Sequence, residues 1–364
     1  MPSGEYAVGT GTYSLYGERN IACRIFSPVR KEVTDGYHKA KYMSEAVVKT
    51  LAKSNMIPLS YAKMEKEGNF MECYENAPHV PGEKFPLIVY SHGAGAYRES
   101  NSFLCIDLAS HGYVIICIAH PRLCTCVELD NGSTEYLENG LTGKTYHPFI
   151  RGTMEMLKVI KMKGSDEELA LSLLQAQEKY CGFLLEQFEF WVDDTKRAVE
   201  YAKRELSDFI DFEKGIGATG HSFGGALAYR LCHDDSDFIC GVNIDGMVIG
   251  DFGKKVLTKP FMQISCDQNA GVVTRVFMNH TSPVYKVLFK DMAHLGFSDL
   301  KHAIPMKKMV GKMDADVAYE NLLVCHKEFF DAYLKKAKSA PDLPDTELVK
   351  TKVLEGTNDG QPDE

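Results

Sequence analysis

The stretch of sequence that decides the fold is Gly220-His221-Ser222-Phe223-Gly224. It follows residues 215–219, which predict a buried strand, and residues 223–232 predict a helix directly after the serine. The turn between strand and helix is so sharp that side chains two residues before and after the serine would clash. Glycines occupy both positions, and the turn lifts the hydroxyl out of the sheet. The motif therefore predicts Ser222 as a catalytic nucleophile.

A serine nucleophile needs a base, and His294 is the best placed histidine. An imidazole must accept the serine proton, and a carboxylate must orient that imidazole and stabilise its cation. When this motif lies on a sheet of parallel strands, the acid and the base come later in the chain, at the ends of subsequent strands. His294 directly follows the predicted strand 284–289, in a loop that can return toward Ser222. We therefore predict His294 as the general base.

The other histidines near these segments are predicted to have different roles. His92 and His221 adjoin the site but precede Ser222 in the chain, so we expect them to shape the site by packing and hydrogen bonding. Three more histidines lie away from the relevant strand ends and are expected at the surface: His233, His280 and His302.

Two aspartates are candidates for the acid, because each ends a predicted strand after the serine. Asp245 closes Val242-Asn243-Ile244-Asp245, and Asp267 closes Ile264-Ser265-Cys266-Asp267. Many hydrolases of this kind take the acid from the later strand, but a carboxylate from the earlier strand can reach the same imidazole. Position alone leaves both candidates open.

The negative charge that develops on the ester oxygen needs two backbone N–H donors. One comes from the residue after the nucleophile, Phe223, and the other from the loop after the first central strand. That loop is Ser91-His92-Gly93-Ala94-Gly95-Ala96, where Gly93 and Gly95 let the backbone approach a substrate. We assign the second donor to the N–H of Ala94.

The rest of the chain predicts an α/β protein. Strands alternate with helices, and several strands are apolar throughout, which is typical of a mostly parallel sheet with helices on both faces. The predicted strands, after a possible edge hairpin in residues 12–26, are 85–90, 113–119, 215–219, 239–244, 261–265 and 284–289. The predicted helices are 37–66, 100–110, 223–232 and 314–336, with a helical excursion over about 120–206, mainly 167–206, near the active site. We expect residues 1–338 to form a single domain and residues 339–364 a flexible acidic tail.

Composition narrows the possible functions. The 364 residues include 41 Lys+Arg against 50 Asp+Glu, a net charge of -9, so nonspecific attraction to nucleic acid has no electrostatic basis. No stretch has the apolar length of a membrane span or the pattern of a signal peptide. The eleven cysteines are scattered and odd in number, which favours reduced thiols and a cytoplasmic location. Cys124 and Cys126 lack the spacing of a redox or zinc motif.

Four blocks of sequence resemble those of the platelet-activating-factor acetylhydrolases of the plasma and intracellular type II kind, which have the α/β-hydrolase fold. The blocks span about residues 85 to 300 and comprise 85–98, 106–114, 220–226, and the pair 242–245 with 294–297. The resemblance implies that Asp245 is the acid and that Asp267 is a loop residue. It also implies calcium-independent hydrolysis of short or oxidised acyl esters of glycerophospholipids, with no metal ion and no organic cofactor.

Other interpretations stay open at the level of sequence. The chain is also compatible with a general carboxylesterase, or a dienelactone-hydrolase-like enzyme, acting on soluble or polymeric esters. A noncatalytic protein that keeps the hydrolase pocket as a ligand site is a more distant alternative. A lipid ester substrate predicts transient contact with a membrane or micelle surface, and the Lys-rich amphipathic segment 37–66 is one candidate for that contact.

Overall fold

The computed structural model describes residues 2–53, 70–136, 146–160, 162–249, 256–267, 269, 280–302 and 306–356. Its strands are β1 (Ala7–Leu15), β2 (Ile21–Val29), β3 (Lys39–Lys41), β4 (Phe70–Glu75), β5 (Leu87–Ser91), β6 (Val114–Ala119), β7 (Cys126–Glu128), β8 (Thr134–Tyr136), β9 (Ile216–His221), β10 (Phe238–Ile244), β11 (Phe261–Cys266), β12 (Val284–Phe289) and β13 (Val349–Leu354). Its helices are α1 (Glu45–Lys53), α2 (Ser102–Ser110), α3 (Tyr146–Ile160), α4 (Asp166–Tyr180), α5 (Gly182–Glu205), α6 (Phe223–Asp234), α7 (Lys307–Val310) and α8 (Ala315–Tyr333).

A single sheet organises these elements. Within the described ranges it has eleven strands in the order β13-β12-β11-β10-β9-β5-β6-β2-β1-β4-β3, and β7 pairs with β8 as a separate hairpin. The six central strands, β6-β5-β9-β10-β11-β12 in sheet order, are parallel to one another, and the strands outside them at either end, β2 and β13, pair antiparallel. The predicted α/β-hydrolase architecture, a mostly parallel sheet, is confirmed.

Helices cover both faces of the sheet, as predicted. Alternate residues of β5 enter two separate cores, with Ile88 and Tyr90 in one and Leu87 and Val89 in the other. The first core is closed by α1, α2 and α8, and the second by α3, α4, α5 and α6. In the part of the chain that is described, no helix has the length and apolar composition that crossing a bilayer requires.

The excursion between β6 and β9 is more divided than its sequence indicates. The predicted helical stretch 167–206 is two helices, α4 and α5, separated at Cys181, where the backbone leaves the helical region. Ser165 and Glu168 form a reciprocal capping box at the start of α4. Gln177 of α4 donates its side-chain N–H to the carbonyl of Val248 at 3.0 Å, so the excursion packs on the loop that follows β10.

The amino-terminal strands β1 and β2 form the predicted antiparallel hairpin, but this hairpin lies inside the sheet and not at its edge. β2 pairs with β6, and β1 pairs with both β2 and β4, so further strands cover the predicted edge. β2 also continues beyond residue 26, the predicted end of the hairpin, and through Pro28 to Val29. This is possible because the pairing of β2 with β6 extends only from Ala22 to Phe26, so the missing N–H of Pro28 costs no bond there.

The predicted helix over 37–66 is wrong at its start. Lys39–Lys41 forms the short strand β3, and the helix begins only at Glu45. Val47 and Leu51 of α1 are buried in the first core, so its apolar face packs inward. Residues 54–66 lie outside the described residues.

The prediction of a flexible tail is wrong for Val349–Leu354, which forms β13 and pairs with β12 in antiparallel register. The polar composition of residues 339–364 hides a short run rich in β-branched residues. The outer edge of β12 provides the backbone partners that such a run needs, and Val349 is buried against the core. Residues 357–364 lie outside the described part of the chain.

A buried carboxylate joins the start of α2 to the loop after β12. Asp299 accepts hydrogen bonds from the Ser102 hydroxyl at 2.8 Å, the Tyr42 hydroxyl at 3.2 Å and the Phe103 N–H at 3.3 Å. Burial raises the pKa of Asp299 to about 7, although these hydrogen bonds act in the opposite direction. In the folded chain the Asp299 carboxyl is therefore mainly protonated below about pH 7.

We predict that Asp299→Asn removes a loss of stability that the natural chain suffers as pH rises from about 4 to about 7. In that window the folded chain binds more protons at Asp299 than the unfolded chain, whose aspartate pKa is about 3.9, so its stability falls with rising pH. The stability of the variant relative to the natural chain should rise by up to about 4 kcal/mol across the window. Urea unfolding at about pH 4.5 and about pH 7.5 measures it.

Asp193→Asn changes an exposed aspartate of α5 and is the matched control. Its stability difference from the natural chain should be the same at both pH values. Equal pH dependence of the Asp299→Asn and Asp193→Asn chains would contradict the assignment.

Candidate active site

The turn between β9 and α6 presents Ser222 in a strained conformation. Ser222 is the N-terminal cap residue of α6 and has φ 57° and ψ -117°. Its N–H donates to the carbonyl of Ile244 at 2.8 Å, which anchors the turn to β10. Non-glycine residues adopt such a backbone rarely, and they do so mostly at functional sites.

Glycines allow this turn to approach the end of β5. A Cβ atom on Gly220 would lie 2.6 Å from the carbonyl oxygen of Ser91, and one on Gly224 would overlap that same oxygen. A Cβ atom on Gly93 would lie 3.2 Å from the Cβ of Ser222, so the loop after β5 passes beside the serine. The glycines of the motif thus bring the serine turn and this loop together.

Three side chains from three different strand ends form a continuous line of hydrogen bonds. Ser222 Oγ lies 2.9 Å from His294 Nε2, and His294 Nδ1 lies 2.6 Å from Asp245 Oδ2. The carboxylate can only accept, so Nδ1 carries the proton and Nε2 is free to accept the serine O–H. His294 opens the short 3-10 turn His294–Phe297, and its side chain is 36% exposed, whereas the Asp245 side chain is fully buried.

Asp245 is fixed by Cys266 and Asn269 besides His294, and the thiol of Cys266 lies 3.4 Å from its Oδ2. Its Oδ1 accepts the N–H of Cys266 at 2.9 Å, and its Oδ2 accepts the side-chain N–H of Asn269 at 2.6 Å. Asp245 also has a positive φ of 56°, directly after β10. The sequence analysis missed Asn269, because no motif marks an asparagine that follows the next strand.

Asp267, the other candidate acid, has a different partner. Its carboxylate is exposed and accepts the N–H of Asp291 at 2.6 Å. It therefore supports the loop that precedes His294, while Asp245 contacts the imidazole itself.

His221 lies beneath the candidate base. Its Nε2–H donates to the backbone carbonyl of His294 at 2.9 Å, and the two rings lie 4.6 Å apart. Burial, followed by the nearby charge of His294, lowers the pKa of His221 to about 3, so its ring stays neutral. His221 thus holds the backbone of His294, in keeping with the expected site-shaping role.

His92 fixes the loop in which Ala94 lies. Its Nε2 accepts the backbone N–H of His120 at 3.2 Å, which leaves the ring proton on Nδ1. That Nδ1–H donates to the carbonyl of Gly93 at 2.7 Å. Burial, and to a smaller extent the charge of the neighbouring His120, lowers the pKa of His92 to about 3.

The two predicted oxyanion donors are available beside Ser222. Phe223 is the first residue of α6, where a backbone N–H has no partner within the helix. Ala94 is half-buried, and its N–H makes no hydrogen bond to any residue in the described ranges. The following Gly95 has φ 79° and donates to the carbonyl of Leu123 at 2.7 Å, which turns the chain away from the site.

The remaining histidines lie away from this line of hydrogen bonds. His302 is exposed and His233 is half-buried at the end of α6. His280, expected at the surface, is buried, and its Nδ1 lies 3.0 Å from the carbonyl of Ser282. Its backbone forms an isolated parallel bridge with the buried Leu257, a pairing that the local sequence does not reveal.

Comparison with known proteins identifies the family. The family model described as platelet-activating factor acetylhydrolase, isoform II, matches residues 2–313. The chain belongs to this family. It is accordingly a carboxylic ester hydrolase, and the resemblance noted in its sequence is confirmed.

Individual relatives in the family are distant. A platelet-activating factor acetylhydrolase of Cavia porcellus is 24% identical over 353 residues, which are 91% of this chain and 77% of the relative. That of Canis lupus familiaris is 32% identical over 181 residues, 48% of this chain and 38% of the relative. Among solved structures, a ferulic acid esterase from Streptomyces cinnamoneus shares the fold with a TM-score of 0.64 at 17% identity, over 96% of this chain and 98% of the esterase chain.

We predict that Gly224→Ala slows the reaction of Ser222 with a fluorophosphonate probe. The new methyl group would overlap the carbonyl oxygen of Ser91, so the turn must move away from β5. We expect labelling to slow at least about tenfold, with a stability loss of about 1–3 kcal/mol from overpacking. Labelling rate and urea unfolding measure the two effects.

Gly36→Ala is the control, because a Cβ atom there meets nothing within 4 Å. It should label at the natural rate. Unchanged labelling of the Gly224→Ala chain would show that the close approach to Ser91 is not needed for the site.

Proposed function

We propose that this ester hydrolase uses Ser222, His294 and Asp245 to cleave acetyl or other short acyl esters at the second position of glycerophospholipids. The line of hydrogen bonds from Ser222 through His294 to Asp245 carries the proposal for the mechanism. Family membership and the names of the curated relatives carry the proposal for the substrate.

Acylation begins when Ser222 Oγ attacks the ester carbonyl while its proton passes to His294 Nε2. Asp245 accepts from Nδ1–H and stabilises the imidazolium that forms. The N–H groups of Ala94 and Phe223 donate to the tetrahedral oxyanion, and donors of this kind contribute about 100–1,000-fold each. His294 then returns the proton to the leaving lysophospholipid oxygen, and the acyl group stays on Ser222.

Deacylation repeats the sequence with water as nucleophile. His294 takes a proton from the water, the hydroxyl adds to the acyl carbon, and the proton returns to Ser222 Oγ as the carboxylic acid leaves. His221 and His92 are neutral, because their pKa values are lowered to about 3, and their hydrogen bonds go to backbone groups and not to Ser222. Their role is to hold the backbone on either side of the substrate.

We expect Ser222→Ala to abolish hydrolysis of both a short-chain nitrophenyl ester and an acetylated ether phospholipid. We expect Asp245→Asn to lower kcat by about 10,000-fold, because the imidazole loses the partner that fixes its tautomer. Parallel assays on the two substrates measure both effects, and the natural chain should prefer the phospholipid. Asp267→Asn is the matched control and should keep nearly full activity.

Each of the other outcomes identifies a different error. Cleavage of the soluble ester alone would leave the mechanism standing and favour a general carboxylesterase. Full activity in Asp245→Asn would instead contradict its role as the acid. Failure of the natural chain to react with either ester or with a fluorophosphonate would favour a noncatalytic ligand-binding protein.

A lipid substrate requires contact with an aggregated lipid surface, and α3 offers a face for it. Ile150, Met154 and Leu157 are 38%, 55% and 41% exposed, and their spacing places them on one side of the helix. Met156 on the opposite side is buried in the same core as Phe223. Basic residues lie on the same helix, Arg151 and Lys158, and Lys158 forms an ion pair with Glu155 at 2.7 Å, in a chain of net charge -9. An exposed apolar stripe beside basic residues suits an anionic lipid surface.

We therefore predict that Met154→Glu weakens binding to vesicles that contain phosphatidylserine and slows hydrolysis of phospholipid in those vesicles by about tenfold, from lost apolar burial and added charge repulsion. Hydrolysis of the soluble nitrophenyl ester should be unchanged. Val324→Glu on α8 is the matched control, because Val324 is 42% exposed but lies on a different helix. Equal effects of the two substitutions on vesicle binding would contradict a role for α3.

The cysteines support a proposal for the compartment. None of the eleven forms a disulfide and all are buried. Burial is the main cause of the rise in the pKa of thiols such as Cys23 and Cys232 to about 12. Such thiols are unreactive and need no partner, so we propose a reducing compartment such as the cytoplasm.

A further inference from the structure

A second line of Ser, His and Asp side chains lies beneath the active site. Ser91 Oγ is 3.1 Å from His120 Nε2, and His120 Nδ1 is 3.2 Å from Asp194 Oδ2. The order of groups is the same as in Ser222, His294 and Asp245. These three residues are, however, at most 2% exposed, so no substrate reaches Ser91. The line therefore takes no direct part in the chemistry, and its contacts with the active-site loops indicate which groups it positions.

The charges in this line are fixed by Arg19. The Arg19 guanidinium donates to both carboxylate oxygens of Asp194, at 3.3 Å and 3.0 Å. Burial opposes the charge of Asp194, but the hydrogen bonds from His120 and Arg19 outweigh it and lower the pKa of the carboxyl. Burial also lowers the pKa of His120. Asp194 is thus an anion, and the neutral His120 donates to it from Nδ1–H and accepts the Ser91 hydroxyl at Nε2.

One connection runs from His120 to the Ala94 amide. The backbone N–H of His120 donates to His92 Nε2, and His92 Nδ1–H in turn donates to the carbonyl of Gly93. The N–H of Ala96 donates to the same carbonyl at 3.0 Å. The carbonyl of Gly93 and the N–H of Ala94 belong to one planar peptide group, so fixing the direction of the oxygen also fixes the direction of the N–H.

The other connection runs from His120 to Phe223. The indole of Trp191 stacks on the His120 ring at 4.1 Å, with 11° between the planes, and meets the Phe223 ring edge-on at 4.8 Å. Trp191 Nε1 is buried without a hydrogen-bond partner among the described residues, so packing alone sets the plane of the indole. Asp194 lies one helical turn after Trp191 on α5 and holds His120 against it.

We propose that His120, held by Asp194, is a positioning residue for both oxyanion amides, through His92 for Ala94 and through Trp191 for Phe223. The inference rests on the proposed serine mechanism, because it concerns the donors to that oxyanion. Asp194 forms a largely buried ion pair with Arg19 at the end of the line Ser91, His120 and Asp194. An error of about 1 Å in such donors costs about 100-fold in rate.

The test compares Asp194→Asn and His120→Asn with the natural chain on a soluble nitrophenyl ester. Both substitutions leave the backbone N–H of His120 in place, but they remove or weaken the side-chain contacts that hold it and the Trp191 indole. We expect kcat to fall about 10- to 100-fold with KM within about twofold, since the displaced amides act on the tetrahedral state. The rate of fluorophosphonate labelling should fall in parallel, because its phosphoryl oxygen uses the same donors. A purely structural role would lower the unfolding temperature and the amount of active enzyme but leave the kcat of titrated sites unchanged.

His326→Asn is the matched control, because His326 is also buried and neutral, with hydrogen bonds to Thr219 Oγ1 at 3.1 Å and the carbonyl of Leu322 at 2.8 Å. It should lose stability without losing kcat per titrated site. Ser91→Ala removes only the hydroxyl that donates to His120, and it is the second variant if the others fail to fold. It should lower kcat about two- to tenfold, as expected for one hydrogen bond of about 1 kcal/mol.

The outcomes separate this inference from the proposed function. Full kcat in folded Asp194→Asn or Ser91→Ala enzyme would overturn the positioning role, even if Ser222→Ala is inactive. Hydrolysis that survives Ser222→Ala would overturn the proposed mechanism itself. Loss of kcat in the His326→Asn enzyme equal to that in His120→Asn would also overturn the inference, because any buried histidine would then have the same effect.

Discussion

The structure depends on the close approach of the serine turn to the carbonyl of Ser91. Glycine at positions 220 and 224 permits this approach, and the anchor of Ser222 to Ile244 maintains it. Because β5 and β9 are parallel neighbours, their carboxyl ends lie side by side, and the loop after each strand reaches the same place. The nucleophile and the loop of Ala94 therefore lie side by side because the strands that precede them are neighbours in the sheet.

Side chains of the same type have different roles in this structure according to how deeply they are buried. His92, His120 and His221 are enclosed, and their lowered pKa values keep them neutral as donors and acceptors in fixed tautomers. His294 is partly exposed at the end of its strand and is the histidine that contacts both a serine hydroxyl and a carboxylate at the surface of the site. Likewise the serine of the strained turn is accessible, while Ser91 is enclosed. Two similar lines of groups thus differ in accessibility.

The sequence predicted much of the architecture because its signals are local. A strand, a glycine-flanked serine and a helix follow each other within one short segment, and apolar runs mark the parallel strands on either side. The sequence did not predict β13, because pairing along β12 overrides the polar composition of that segment. It also did not predict Asn269, His120 or Asp194, since each acquires its role only from partners more than 20 residues away.

By itself, therefore, the sequence determined the fold class, the serine turn and the histidine after the last parallel strand. Position in the sequence left two aspartates open, and only the tertiary structure shows that the Asp245 carboxylate contacts His294 while Asp267 binds the Asp291 amide. The physical reason is that motifs report backbone conformation, which neighbouring residues determine. The direction of a buried carboxylate depends instead on which donors the folded sheet brings within hydrogen-bond distance.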